Sequence, residues 1–150
     1  QNGQTYSFSS DLIAPRVGYV RVVGLPVGDN VAMSQDIQNA VCAVKEEGAD
    51  RWIVDLRFNG GGNMFPMVEG LASIIGDGPA GGAVGLTEDQ NADWRVEDTD
   101  FYYDEFSVQL KDECPYAELP KVAVLTSMYT ASSGEVVAVV FKGRDKTQFF

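Results

Sequence analysis

The sequence predicts an α/β domain with largely parallel central strands. Apolar, β-branched segments alternate along the chain with segments of helical periodicity, an order typical of this class. The 45% hydrophobic and 11% aromatic content of the 150 residues is enough to bury a core. Because neither a repeat nor a linker interrupts this order, we expect residues 1–150 to form a single domain.

The first half of the chain supplies two strands and a helix. Residues 18–25 alternate as a strand does, and apolar residues recur at helical spacing over residues 33–44 until Gly48 ends the pattern. Residues 51–57 are a short, mostly apolar run of the kind found in a strand covered on both faces. We expect this strand to end at the three consecutive glycines 60–62.

The second half begins with a helix over residues 66–75, since Pro66 suits a first helical turn. Residues 76–81 match G-x-G-x-x-G, but the motif follows a helix instead of a strand, so a glycine-rich loop is favoured over a dinucleotide site. Short strands are expected within residues 83–110. Residues 121–126 have the pattern of a buried strand, and residues 136–141 form the apolar side of a helix.

The charge of the chain excludes some classes of partner. Eleven Lys and Arg against 22 Asp and Glu give a net charge of −11, which repels nucleic acid phosphates and anionic membranes. No apolar run approaches the roughly 20 residues of a membrane span, and the N-terminus does not resemble a signal peptide, although this does not fix the compartment. The acidic residues of segment 83–110 lack EF-hand spacing, so a solvated surface is favoured over calcium binding.

Cysteine and histidine narrow the chemistry further. Cys42 and Cys114 lack zinc-ligand spacing, and the apolar helical surroundings of Cys42 favour a buried thiol over a disulfide. The sequence has no histidine. That excludes a Ser-His-Asp triad, a Cys-His dyad and a His-ligated metal site within the chain.

Two strand-to-helix junctions have the composition of a catalytic site. The glycines at residues 60–62 can turn backbone N–H groups toward a ligand at close range, which suits an oxyanion hole. Ser132 and Ser133 precede a predicted helix, whose N-terminal amides favour negative charge developing at a nucleophile. The spacing to Glu135 also fits a capping box, and on spacing alone this structural role is favoured.

A family resemblance changes that balance. Residues 55–62, DLRFNGGG, resemble the D-L-R-x-N-x-G-G signature of the tail-specific (C-terminal processing) serine proteases. Residues 130–135, TASSGE, resemble the nucleophile motif S/T-A-S-[AS]-x-E of the same family. The two motifs lie in the family's order, and the similarity covers roughly residues 17–150. The resemblance implies the crotonase-like and ClpP-like α/β fold of that family.

Carried over residue by residue, the resemblance implies that Ser132 attacks the scissile carbonyl of a polypeptide. The backbone N–H groups of Ser133 and Gly61 would hold the oxyanion, each contributing roughly 3 kcal/mol, while Gly62 keeps the turn open. The remaining motif residues are expected to support the site, with structural roles at least as favoured as catalytic ones: Asp55, Arg57, Asn59 and Glu135.

The general base is the missing part of this site. Lysine-using relatives place it roughly two dozen residues beyond the nucleophile, after a G-E-x-T-x-G-like turn, and histidine-using relatives take it from an upstream segment. Neither position occurs in residues 1–150, and no peptide-binding PDZ segment is recognisable before Gly18. Lys142 lies about 15 Å from Ser132 by helical rise. We therefore expect a C-terminally truncated core that is inactive by itself.

The sequence as a whole is interpreted as a serine endopeptidase core that forms a Ser132 acyl-enzyme, with no metal and no organic cofactor. The resemblance implies a polypeptide substrate and a location in the cell envelope, periplasm or exterior. The alternative is a non-catalytic module of the same fold that binds peptides or hydrophobic ligands. A protease needs a base within hydrogen-bond reach of Ser132, whereas a binding module needs only an apolar pocket.

Overall fold

A computed structural model describes residues 8–150, which form eight strands and four α-helices. The strands are β1 (Ser9–Ala14), β2 (Val17–Arg21), β3 (Arg51–Asp55), β4 (Gly78–Ala83), β5 (Ala92–Glu97), β6 (Asp100–Tyr103), β7 (Lys121–Leu125) and β8 (Thr147–Phe149). The helices are α1 (Asn30–Glu46), α2 (Met64–Glu69), α3 (Ala72–Ile75) and α4 (Ser133–Phe141). None of the described helices is long and apolar enough to cross a membrane.

The strands form two sheets. The five-stranded sheet has the order β1-β2-β3-β7-β8, in which β2, β3, β7 and β8 are parallel and β1 is an antiparallel edge strand. Strands β4, β5 and β6 form an antiparallel sheet. The α/β class with a mainly parallel central sheet and flanking helices is therefore confirmed.

The helices pack on one face of the five-stranded sheet. Trp52 and Val54 of β3 are buried, as are Val122 and Val124 of β7, and all four belong to one core cluster with side chains of α1 and α4. Each large apolar side chain buried in this way contributes roughly 1.5–3 kcal/mol. Ile53 points to the opposite face and is only partly buried. The prediction that β3 is covered on both faces is wrong for the described residues, because no helix among them packs on that second face.

Two predicted helices differ from the observed ones in their ends. Helix α1 begins three residues before the predicted start, because the carboxylate of Asp29 accepts the N–H of Ala32 at 3.1 Å and caps the helix. The helix predicted over residues 66–75 is two short helices, since Gly70 ends α2. A Cβ atom on Gly70 would lie 2.5 Å from the Cβ of Ile37, so α2 approaches α1 where only glycine fits.

Two segments predicted as loop or solvated surface are structured. Residues 78–83 form β4, because their backbone pairs with β5, and backbone pairing leaves no signal in a Gly- and Pro-rich segment. The sequence predicts Asp100 on a solvated surface, but the residue is only 6% exposed, and its burial raises the pKa of its carboxyl. The described residues 83–110 otherwise contain the short strands that the sequence predicts.

Cys42 and Cys114 form a disulfide with a Cα–Cα distance of 5.6 Å, so the preference for a buried thiol is wrong. The bond ties α1 to the segment before β7. The amino group of Lys45 strengthens the same junction by donating to the carbonyl oxygens of Cys114 at 3.0 Å and Pro115 at 2.6 Å. The helical surroundings of Cys42 could not reveal the pairing, because Cys114 approaches from a loop 72 residues away.

Candidate active site

The two predicted motifs meet at one edge of the five-stranded sheet. Strands β3 and β7 are parallel neighbours, and Asp55 at the end of β3 lies opposite Leu125 at the end of β7. The loop after β3 (residues 56–63) and the loop after β7 (residues 126–132) therefore lie side by side. Carboxyl ends of parallel strands are where α/β folds place their sites.

Hydrogen bonds join these two loops. Donors of the second loop bond to carbonyl oxygens of the first: the Ser127 hydroxyl to Arg57, the Thr130 hydroxyl to Leu56 at 2.8 Å, and the Ala131 N–H to Asn59 at 3.0 Å. Sequence reasoning missed Ser127 and Thr130, whose only signal is a hydroxyl side chain directly after a buried strand. The bonds fix the position of one motif relative to the other.

Asp55 anchors the first loop. Its carboxylate is 2% exposed and accepts hydrogen bonds from the Arg57 side chain at 2.8 and 3.0 Å, from the Arg57 N–H at 3.0 Å, and from the Tyr19 hydroxyl at 2.7 Å. The bonds from Arg57 outweigh burial and lower the pKa of Asp55 to about 2. Burial and the Asp55 carboxylate raise the pKa of Tyr19. Asp55 is thus ionised at neutral pH and hydrogen-bonded to both Arg57 and Tyr19.

Gly61 lies against Ser132. A Cβ atom on Gly61 would lie 2.7 Å from the Cβ and 3.1 Å from the Oγ of Ser132, and the residue has a φ of +109°. Gly62 has a φ of +108°, and a Cβ there would collide with the carbonyl oxygen of Leu25. Both positions therefore require glycine for conformation as well as for space. This pair lets the first loop approach the serine closely.

The N–H of Gly61 is already bonded in this structure. It donates to Oδ1 of Asn59 at 3.0 Å. Asn59 is fully buried, and its amide group donates to the sulfur of Met67 at 3.3 Å. Asn59 therefore touches both loops, through its side chain on Gly61 and its carbonyl oxygen on Ala131. An oxyanion bound at Gly61 would have to compete with the Asn59 side chain.

Ser132 occupies an unusual turn at the start of α4. It is exposed and has φ +53° and ψ −123°, a conformation that non-glycine residues adopt rarely. Glu135 holds this turn, because its Oε2 accepts the N–H of Ser132 at 3.0 Å in a capping box. Sharp, strained strand-to-helix turns of this kind expose nucleophilic serines in other hydrolases.

The neighbouring serine is placed differently. The hydroxyl of Ser133 donates to the carbonyl oxygen of Gly62 at 2.5 Å, so it acts as another link between the loops. The N–H of Ser133 belongs to the first residue of α4 and has no acceptor among residues 8–150. This amide is available to an anion at the helix start, where the helix dipole adds to its effect.

The lysines of residues 8–150 form no hydrogen bond with Ser132. Lys121 is the first residue of β7, so it lies at the opposite end of that strand from the loop that carries Ser132. Lys142 follows the last turn of α4. The amino groups of Lys45 and Lys146 donate to backbone carbonyl oxygens. Within the described residues, no lysine amino group is hydrogen-bonded to Ser132. The same residues contain no group of three or more Asp, Glu, Cys or His side chains that could hold a metal ion.

Comparison with known proteins gives a family match over most of the chain. A family model described as peptidase family S41 matches residues 16–150. No curated protein matches the sequence.

Solved structures resemble the fold. A lipoprotein from Streptococcus agalactiae is 21% identical with a TM-score of 0.66, and the match covers 95% of this chain and 48% of that one. A protein from Bacteroides fragilis described as an S41 protease is 19% identical with a TM-score of 0.61, covering 95% and 36%. A photosystem II D1 C-terminal processing protease is 21% identical with a TM-score of 0.58, covering 89% and 29%. The chain thus spans less than half the length of these relatives.

Proposed function

Because the chain belongs to peptidase family S41, we propose that it is the core of a serine endopeptidase of the tail-specific type, with Ser132 as the nucleophile. The observation that best supports this proposal is the turn at Ser132. Ser132 has a φ of +53° at the start of α4, is exposed and lies against Gly61, which resembles the strained turns that carry attacking hydroxyls in other hydrolases. A serine that only capped the helix would not need the positive φ.

In the proposed reaction, Oγ of Ser132 forms a bond to the scissile carbonyl carbon while its proton passes to a general base. The carbonyl oxygen becomes an oxyanion, held by the N–H of Ser133 and by the N–H of Gly61 once that group leaves Asn59. Collapse of the tetrahedral intermediate expels the amine, which takes the proton, and water then hydrolyses the acyl-enzyme. Each oxyanion donor contributes roughly 3 kcal/mol.

The general base in this proposal comes from outside residues 8–150. Without it, the serine hydroxyl is a poor nucleophile at neutral pH. We therefore expect a polypeptide of residues 1–150 to show no peptidase activity when assayed by itself.

The proposed substrate is an unstructured polypeptide with apolar side chains near the cleaved bond. Three apolar side chains on the two site loops are more than half exposed: Phe58, Met128 and Tyr129. The rings of Phe58 and Tyr129 are stacked with centroids 6.3 Å apart. Exposed apolar side chains grouped beside a site favour apolar ligands.

The proposed location is outside the cytoplasm. The disulfide between Cys42 and Cys114 supports an oxidising compartment. Relatives of the fold include a lipoprotein and a photosystem II processing protease.

The net charge of −11 and the family membership favour a polypeptide partner over nucleic acid.

Two serine variants of the parent protein test the catalytic role. Ser132→Ala should reduce kcat/KM on an unstructured polypeptide by about three orders of magnitude or more, because it removes the nucleophile. Ser133→Ala removes the hydroxyl bond to Gly62 but keeps the backbone donor, so activity should stay within about tenfold. Equal losses in the two variants would show that the wrong serine has been assigned. Binding of peptides without any cleavage would favour the non-catalytic module instead.

A further inference from the structure

The second face of the five-stranded sheet carries no helix of residues 8–150. Strand register places Val17, Arg51 and Lys121 side by side in one row and Tyr19, Ile53 and Ala123 in the next. We call these six residues the open face. None of them belongs to the core cluster, whereas Val20, Trp52, Val54, Val122 and Val124, which alternate with them on the same strands, all do.

Parallel sheets in proteins are almost always covered on both faces. The strands around the open face, β2, β3, β7 and β8, are parallel. A shallow cavity of about 530 Å³ lies over the open face, with apolar side chains such as Ile53 and Ala123 in its floor. This volume is large enough for several side chains of another segment.

Three cations line the same cavity: Arg51, Lys121 and Lys146. They stand out in a chain with only 11 basic residues and a net charge of −11. Lys121 and Lys146 form no ion pair within residues 8–150, and Arg51 reaches only Asp50, at 3.8 Å. The edge of the open face thus presents positive charge that the described residues leave largely uncompensated.

We propose that the open face is a docking surface for an apolar polypeptide segment that directs carboxylates toward Arg51, Lys121 and Lys146. The cations lie on β3, on β7 and beside β8, and neighbouring strands are about 4.8 Å apart. They therefore span a width that suits several carboxylates on one segment better than the single head group of a fatty acid. The proposal does not depend on the role of Ser132.

Two synthetic peptides with the same apolar residues test the proposal, one with Glu and the other with Lys at the flanking positions. We expect the Glu peptide to bind the 150-residue chain at least about tenfold more tightly, with an affinity that falls as salt rises. The double variant Lys121→Glu/Lys146→Glu should abolish this preference. The matched control Lys111→Glu/Lys142→Glu changes the net charge equally, away from the open face, and should preserve it.

Circular dichroism establishes that each variant is folded. Ile53→Asp, which places a charge in the floor of the cavity, should weaken binding of the Glu peptide. Failure of both peptides to bind, or equal binding of the two, would overturn the proposal. Binding of dodecanoate without either peptide would overturn it in favour of a lipid ligand. A dimer in sedimentation analysis that Ile53→Asp dissociates would assign the open face to a second copy instead.

Discussion

Raising the pH from about 5 to about 8 should destabilise the fold through Glu69. This residue ends α2, is 1% exposed, and accepts the N–H of Phe101 through Oε2 at 2.7 Å. Burial, with smaller contributions from the charges of Asp100 and Glu113, raises the pKa of its carboxyl from 4.5 to about 8. A hydrogen bond with the carboxyl of Asp100 also favours the protonated form of Glu69, so ionisation leaves a poorly compensated charge beside a second buried carboxyl.

The sign and size follow from proton linkage. Between pH 4.5 and about 8 the native state holds a proton that the unfolded chain has released, so stability is full below 4.5 and declines as the pH rises toward 8. Since one pKa unit corresponds to about 1.4 kcal/mol, the loss attributable to Glu69 is at most about 5 kcal/mol.

Urea unfolding of the 150-residue chain at a series of pH values measures this loss, with Glu69→Gln as the control. Glutamine retains an oxygen for the N–H of Phe101 and imitates the protonated acid, so its stability should not decline through this group. The free energy of unfolding of Glu69→Gln relative to the native sequence should therefore increase steadily above pH 5 or so. Parallel pH profiles for the two proteins would refute the assignment of a raised pKa to Glu69.

Three further perturbations have defined outcomes. Gly61→Ala places a methyl group 2.7 Å from Cβ of Ser132 at a φ of +109°. Thermal unfolding should therefore show a loss of stability of about 1–3 kcal/mol. Unchanged stability would mean that the two loops are not in contact. Replacing both Cys42 and Cys114 by serine should lower the free energy of unfolding in urea by up to about 4 kcal/mol relative to the oxidised protein. Equal urea midpoints for the two proteins would contradict a formed disulfide. Asp55→Asn should lower the free energy of unfolding by about 1–2 kcal/mol at neutral pH. This difference from the native sequence should shrink as the pH falls through 3.8 toward 2, because protonation of Asp55 then removes the same interaction. A difference that stayed constant with pH would argue against the lowered pKa.

The parallel sheet and the position of both site loops could be predicted because each depends on local pattern. The apolar run over residues 51–57 and the helical spacing over residues 33–44 report on burial directly. Strand β4 could not be predicted, because Gly78–Ala83 has no hydrophobic alternation and forms only through backbone pairing with β5. The uncovered second face of β3 escaped prediction for a related reason: an apolar strand pattern does not tell which part of a protein covers it.

The nearness of Gly61 and Ser132 follows from two motifs at the ends of adjacent parallel strands. Their hydrogen-bond partners do not follow from the sequence. Spacing alone could not show that the hydroxyl of Ser133 is bound to Gly62 or that Asn59 holds the N–H of Gly61, since both bonds depend on loop conformation. The disulfide was missed because its two cysteines meet only in the tertiary structure.

The identity of the serine that becomes covalently modified is the most direct test of the catalytic assignment. The parent protein can be treated with a peptidyl phosphonate, which reacts with activated serines, and the modified residue located by tandem mass spectrometry of its peptides. We predict one adduct, on Ser132, that is absent from Ser132→Ala and present in Ser133→Ala. An adduct on Ser133, or undiminished labelling of Ser132→Ala, would contradict the assignment of Ser132 as the nucleophile.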